Sequence, residues 1–277
     1  MLHKTTPVLV ADRFPALLNA LLDLLSGLSD EEWQRPVHSG EWTVKDLAQH
    51  LLGDEMHILS GKRDRYIEKH MAIQSWDELV TFINYRNAVW VEATRRLSPR
   101  LICELLRATG EQVNEYFMHM DPYAMGGPVN WAGPEPAPVW LDIAREFTER
   151  WHHQQHIRDA VGKPGCTDAY FLTPVLATFI HALPHTFQGI DEPEGTSVAI
   201  NITGEAGGVW SVVRESDCWE LYAGKSEHPR AEIEIPEDAA WRLFTRGISI
   251  EAARQATTLC GDVRLAEKVL ETTSIIA

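Results

Sequence analysis

The hydrophobic period of this chain changes once, and that change restricts the fold more than any other feature. Through about residue 165, apolar side chains recur at helical spacing; after Glu192-Pro193-Glu194-Gly195 they alternate. A helix repeats every 3.6 residues and a strand every two, so the two patterns call for different structures. The chain therefore reads as α+β: a bundle of four-helix type followed by a small α/β domain. We expect residues 1–165 to form the first domain and 166–277 the second, with the apolar stretch 171–187 bridging them.

Local signals place the elements. Residues 14–28 make a first helix, with Pro15 suited to its first turn. Residues 43–59 make a second, with Thr43 as N-cap and Asp46 completing a variant capping box. A third spans 75–97, and Ser98-Pro99 then supplies the N-cap and first position of a fourth, 101–118. Residues 122–138, rich in Gly and Pro, read as a loop, a lid or cleft wall. Helix 139–161 ends at Gly162, Pro164 and Gly165. In the second domain, 171–187 reads as a helix broken by Pro184. Strands follow at 197–202, 209–214, 219–222 and 231–235, then helices at 237–245, 250–257 and 263–270.

Composition excludes several function classes. With 277 residues, 44% hydrophobic and 23% charged, the chain is an ordinary globular one. Its net charge of −15 argues against nucleic acid and anionic membranes, which want basic patches. The four cysteines include no C-x-x-C pair, which fits a reducing cytoplasm. No run approaches the roughly 20 apolar residues of a membrane span, and residues 1–10 have no signal-peptide core. The ten tryptophans read mainly as core. Phosphate-loop, H-E-x-x-H and G-x-S-x-G motifs are missing.

Chemistry concentrates in Glu149-Arg150-Trp151-His152-His153-Gln154-Gln155-His156. Residues four apart on a helix share a face, so Glu149 and His153 point to one place. Imidazole nitrogen and carboxylate oxygen are ligands for a cation such as Zn²⁺, and a catalytic site pairs three such ligands with an open position. His50, in Trp42-Thr43-Val44-Lys45-Asp46-Leu47-Ala48-Gln49-His50-Leu51, is the best third ligand, because it borders the apolar face of its helix. His152 lies about 100° from His153 around the axis and reads as a packing or outer residue. His156 shares the ligand face and could replace Glu149 or orient His153. Asp54 and His57 lie near the His50 face and read as a solvated aspartate and a peripheral histidine, while His181 and His185 read as structural.

The pattern W-T-V-x-D-L-x-x-H-L, with E-x-x-H-H-x-x-x-I about a hundred residues later, resembles the DinB-like superfamily. Within it the chain looks most like the mycothiol-dependent maleylpyruvate isomerase family, and the resemblance spans the whole chain. It implies a DinB-like metal-binding bundle followed by a sterol-carrier-like domain. By motif position it puts the metal ligands on His50, Glu149 and His153. The family also uses arginines near its active site, one from the C-terminal domain; Arg86 and Arg246 are the candidates here, as anion clamps. The implied cofactors are a divalent metal, Zn²⁺ first with Ni²⁺, Co²⁺ or Fe²⁺ as alternatives, and a low-molecular-weight thiol such as mycothiol. The implied activity is isomerase or S-transferase chemistry on a small electrophile. Two rivals stand beside it: a metal-dependent hydrolase with Asp54 as the acid or base, and a non-catalytic module binding metal or an apolar ligand.

Overall fold

Three of the long helices, Val44–His57, Trp76–Thr94 and Pro99–Met118, begin at a capping hydroxyl, from Thr43, Ser75 and Ser98. The computed structural model describes residues 2–37, 42–66 and 75–275. The chain divides into two compact units: Ala11–Met120, Glu149–Cys166 and Ala277 form one, and Met1–Val10, Asp121–Thr148 and Thr167–Ile276 form the other.

The helical unit contains α1 (Phe14–Ser26), α2 (Asp30–Trp33), α3 (Val44–His57), α4 (Trp76–Thr94), α5 (Pro99–Met118) and the second half of α6 (Val139–Val161). The expected capping box at α3 is present: the Thr43 hydroxyl accepts from the Asp46 amide, and the Asp46 carboxylate accepts from the Thr43 amide at 3.1 Å. Ser98 caps α5 with Pro99 in its first turn. A second capping box, Ser29 with Glu32, starts α2, a helix of one turn that the apolar pattern does not reveal. Past His57 the α3 backbone widens into a π-helical turn, Ile58–Arg63. Gly162, at φ +66, ends α6 in a conformation that glycine adopts without strain.

Leu21, Leu25, Leu47, Leu51, Ile102 and Ile157 are among the side chains of the core of this unit. Helix α3 packs on α4 and α5, and α1 packs on α5. Gly53 permits the α3–α4 approach, since a Cβ there would come within 2.7 Å of the Trp90 indole. That indole donates to the Gln49 carbonyl at 2.7 Å.

The other unit is built on a mixed sheet. In chain order its strands are β1 (His3–Lys4), β2 (Met125–Pro128), β3 (Pro136–Pro138), β4 (Ser197–Thr203), β5 (Gly208–Arg214), β6 (Trp219–Ala223), β7 (Ala231–Pro236) and β8 (Thr258–Gly261). Six of them form one sheet in the order β1-β6-β5-β4-β7-β8, in which only β4 and β7 run parallel. Alternation sets the faces: Ala231, Ile233 and Ile235 of β7 are buried, whereas Glu234 is exposed. The accompanying helices are α7 (Ala169–Phe179), α8 (Leu183–Thr186), α9 (Glu237–Phe244), α10 (Ile250–Gln255) and α11 (Val263–Lys268).

Residues 122–138 and 171–187 differ from their sequence reading. Residues 122–138 are not wholly loop, because β2 and β3 pair antiparallel with an irregular register, Met125 opposite Pro138 and Pro128 opposite Pro136. Proline donates no ladder hydrogen bond, so such a strand carries almost no propensity signal. The 171–187 stretch is three pieces: α7, a 3₁₀ turn at Ile180–Ala182, and α8 with Pro184 in its first turn. Among the described residues no helix is long and apolar enough to cross a membrane.

Candidate metal centre

Three side chains of the helical unit converge from α3 and α6. His50 Nε2 lies 3.1 Å from His153 Nε2 and 3.6 Å from Glu149 Oε1, and His153 Nε2 lies 2.8 Å from the same oxygen. A tetrahedral ion with ligands at 2.0–2.1 Å would hold them about 3.3 Å apart. The observed separations bracket that value, so the donor set fits one small divalent cation without backbone movement. Helical spacing supplies the α6 pair, one turn apart, and the Thr43 cap fixes the register that presents His50. The Trp42 ring centroid stands 5.3 Å from that of His50.

The electrostatics prepare the same site. Burial alone would raise the Glu149 pKa, but His153, with hydrogen bonds from His153 and His50, holds it well below the ordinary value. Glu149 is therefore ionised at neutral pH. Burial pushes His153 down to about 4 against the pull of Glu149, so its imidazole is neutral and keeps a lone pair for a cation. Burial also works on His50, but the charges of Asp54 and Glu149 outweigh it and raise that pKa.

The other residues singled out by sequence fall as follows. Asp54 is closer to the site than its reading as a solvated residue implied: its Oδ2 is 3.4 Å from His50 Nε2. His152 is buried, with Nδ1 3.8 Å from Glu149 Oε2, and His156 is half-buried beside it. His57 is exposed. Arg86 is exposed on α4, its guanidinium 5.9 Å from the Phe82 ring centroid. Arg246 is exposed just after α9, in the sheet unit, with left-handed backbone at φ +56. His181 stacks edge-on to Trp140, their centroids 5.3 Å apart, and burial lowers its pKa to about 4.

Sequence reading missed a buried polar group in the helical unit. Glu55 on α3 accepts a hydrogen bond from the Thr109 hydroxyl of α5, and the buried Arg150 acts on it electrostatically. Burial pushes the Glu55 carboxyl up to about 7, against the pull of Arg150. Its one signal in the sequence was a carboxylate set among Leu51, Leu52, Ile58 and Leu59.

A helical unit with a two-histidine, one-carboxylate cluster and a second unit built on a mixed sheet make this an α+β protein with a candidate metal centre. The family model of the mycothiol maleylpyruvate isomerase N-terminal domain matches residues 14–158, just over half of the chain, and the chain belongs to that family. The fold resembles the crystal structure of the mycothiol-dependent maleylpyruvate isomerase, at TM-score 0.52 and 12% identity over 88% of this chain and 93% of that one. A mutant of that isomerase aligns at TM-score 0.49 and 13% identity, over 92% and 95% of the two chains. No curated protein matches the chain at a significant level.

Proposed function

We propose that this chain is a divalent-metal-dependent enzyme that activates a low-molecular-weight thiol, mycothiol or a close analogue, for isomerase or S-transferase chemistry on a small electrophile. The observation that carries the reading is the spacing of His50 Nε2, His153 Nε2 and Glu149 Oε1 at 2.8 to 3.6 Å. Zn²⁺ suits this donor set, with Ni²⁺, Co²⁺ or Fe²⁺ as alternatives. When bound, such a cation lowers the pKa of a coordinated thiol and so supplies thiolate at neutral pH. The residues prepare for it. Glu149 holds a negative charge and His153 is neutral, and Asp54 Oδ2 sits 3.4 Å from His50 Nε2, placed to take the proton that this nitrogen gives up when a cation binds. In this reading Arg86 and Arg246 are anion clamps for thiol or substrate. Residues 1–165 carry the metal chemistry, and residues 166–277 form the sterol-carrier-like domain. A cytoplasmic, reducing location accords with four free cysteines.

The test is turnover. Consumption of a maleyl-type cis-alkene or an activated halide should require both metal and thiol, and His153→Ala should abolish it. Metal-dependent turnover that proceeds equally well without any thiol would overturn the reading in favour of a hydrolase. The position of Asp54 is what supports that alternative.

A further inference from the structure

His153 belongs to a second group of ligands as well. One ring nitrogen from each of His152, His153 and His156 lies within 4.8 Å of the others. The ring centroids are 4.0 Å apart for His152–His153, 5.1 Å for His152–His156 and 5.7 Å for His153–His156. Helix geometry dictates the grouping. His152 and His156 are one turn apart on a face, and His153 follows His152 about 100° around the axis.

We propose that this group is a second, all-imidazole site for a divalent cation, and that it excludes a cation at His50–Glu149–His153. A neutral imidazole has one lone pair, so His153 serves one cation at a time. The two donor sets also differ in chemistry. One offers two nitrogens and a carboxylate from two helices; the other offers three nitrogens from α6 alone. Imidazole-rich sets favour Cu²⁺, the tightest binder of the divalent series. A nitrogen-seeking ion in excess therefore takes His153 away from His50 and Glu149, and the second site inhibits the first.

The test uses Cu²⁺ as the probe, with stoichiometry by titration and ligand type by electron paramagnetic resonance. The double variant His50→Ala/Glu149→Ala should still bind one Cu²⁺ with a three-nitrogen pattern. Adding His152→Ala and His156→Ala should weaken that binding at least tenfold. Equal binding by the two variants, at equal helix content by circular dichroism, overturns the proposal. Should the double variant not fold, the full chain decides. Native protein loaded with up to two equivalents of Cu²⁺ should show two species, and His152→Ala/His156→Ala only the two-nitrogen one. A single two-nitrogen species in native protein at every loading overturns the proposal equally. Exclusivity rests on the reading of His50–Glu149–His153 as a cation site. If native protein holds no Zn²⁺ but the double variant still gives the three-nitrogen Cu²⁺ signal, that reading fails while the second site stands.

Discussion

The helical unit and the stretch from Thr167 onward bury different kinds of polar group. From Thr167 onward, every buried polar side chain among the described residues is a hydroxyl: Thr178, Ser197, Ser211, Thr245, Thr272 and Ser274. The helical unit instead buries ionisable groups, including Asp46, His50, Glu55, Arg150 and His152. A hydroxyl satisfies itself cheaply, as Ser274 does on the Phe179 carbonyl at 2.9 Å and Thr245 on the Trp241 carbonyl at 2.9 Å. An ionisable group taken out of water costs several kcal/mol unless a partner or an ion compensates it. The contrast separates a stretch held by apolar packing from a unit that carries chemistry at the expense of stability.

The sharpest way to break that contrast is to damage each unit and read both properties. Phe244, fully buried on α9, packs its ring 6.4 Å from that of Phe179. Phe244→Ala should cost about 3–5 kcal/mol of stability in urea unfolding while leaving the Zn²⁺ stoichiometry of the folded protein at one. Loss of metal from the still-folded variant would break the contrast. His153→Ala is the converse. It should weaken Zn²⁺ binding by roughly 3 kcal/mol, a hundredfold or more, and leave the far-ultraviolet circular dichroism unchanged. His152→Ala should keep one equivalent of Zn²⁺, and a variant that loses it would make His152 the true ligand.

Glu55 tests the energetic half of the contrast. Its folded pKa of about 7 lies above the ordinary 4.5, so the folded state is favoured when the carboxyl is protonated. The penalty is absent below the unfolded pKa, grows as pH rises from 4.5 to about 7, and levels off above that at roughly 3 kcal/mol. Glu55→Gln should remove this dependence, so its stability relative to the native protein should rise between pH 4.5 and pH 8. A constant difference across that range would show that Glu55 is not a strained acid. The smallest effect is expected at the N-terminus of α3, where Thr43→Ala should cost about 1 kcal/mol through its lost cap. Zn²⁺ affinity should fall slightly with it if the cap holds the His50 register, and an unchanged affinity would place that register in the core packing.

Much of this was legible in the sequence because the signals are local. Helix α6 runs over residues 139–161 as its uninterrupted helix formers and closing Gly162 require, and the Thr43 and Ser98 caps are where hydroxyl and apolar run coincide. The four central strands lie within one residue of their alternating patterns. What escaped depends on partners distant in sequence. β1 is two residues long and owes its existence to β6, and β8 owes its own to β7. Glu55 meets Thr109 only when α3 lies on α5. Periodicity puts His50 at the edge of an apolar face, but its 3.1 Å approach to His153 comes from the crossing of two helices 103 residues apart.

The pairing of β1 with β6 also sets a timetable. His3 sits opposite Ala223 and Lys4 opposite Tyr222. A ribosome adding about 5–20 residues per second needs roughly 10–40 s to cover that interval, and the wait falls on the emerging chain. Throughout it the segment around His3 and Lys4 has no strand to join, while the partner edge of β6 does not yet exist. Once made, β6 stays an open edge until that early segment returns to cover it. A bulky fusion ahead of His3 would therefore act late, by leaving the rim of the sheet uncovered and prone to pairing with a neighbouring nascent chain.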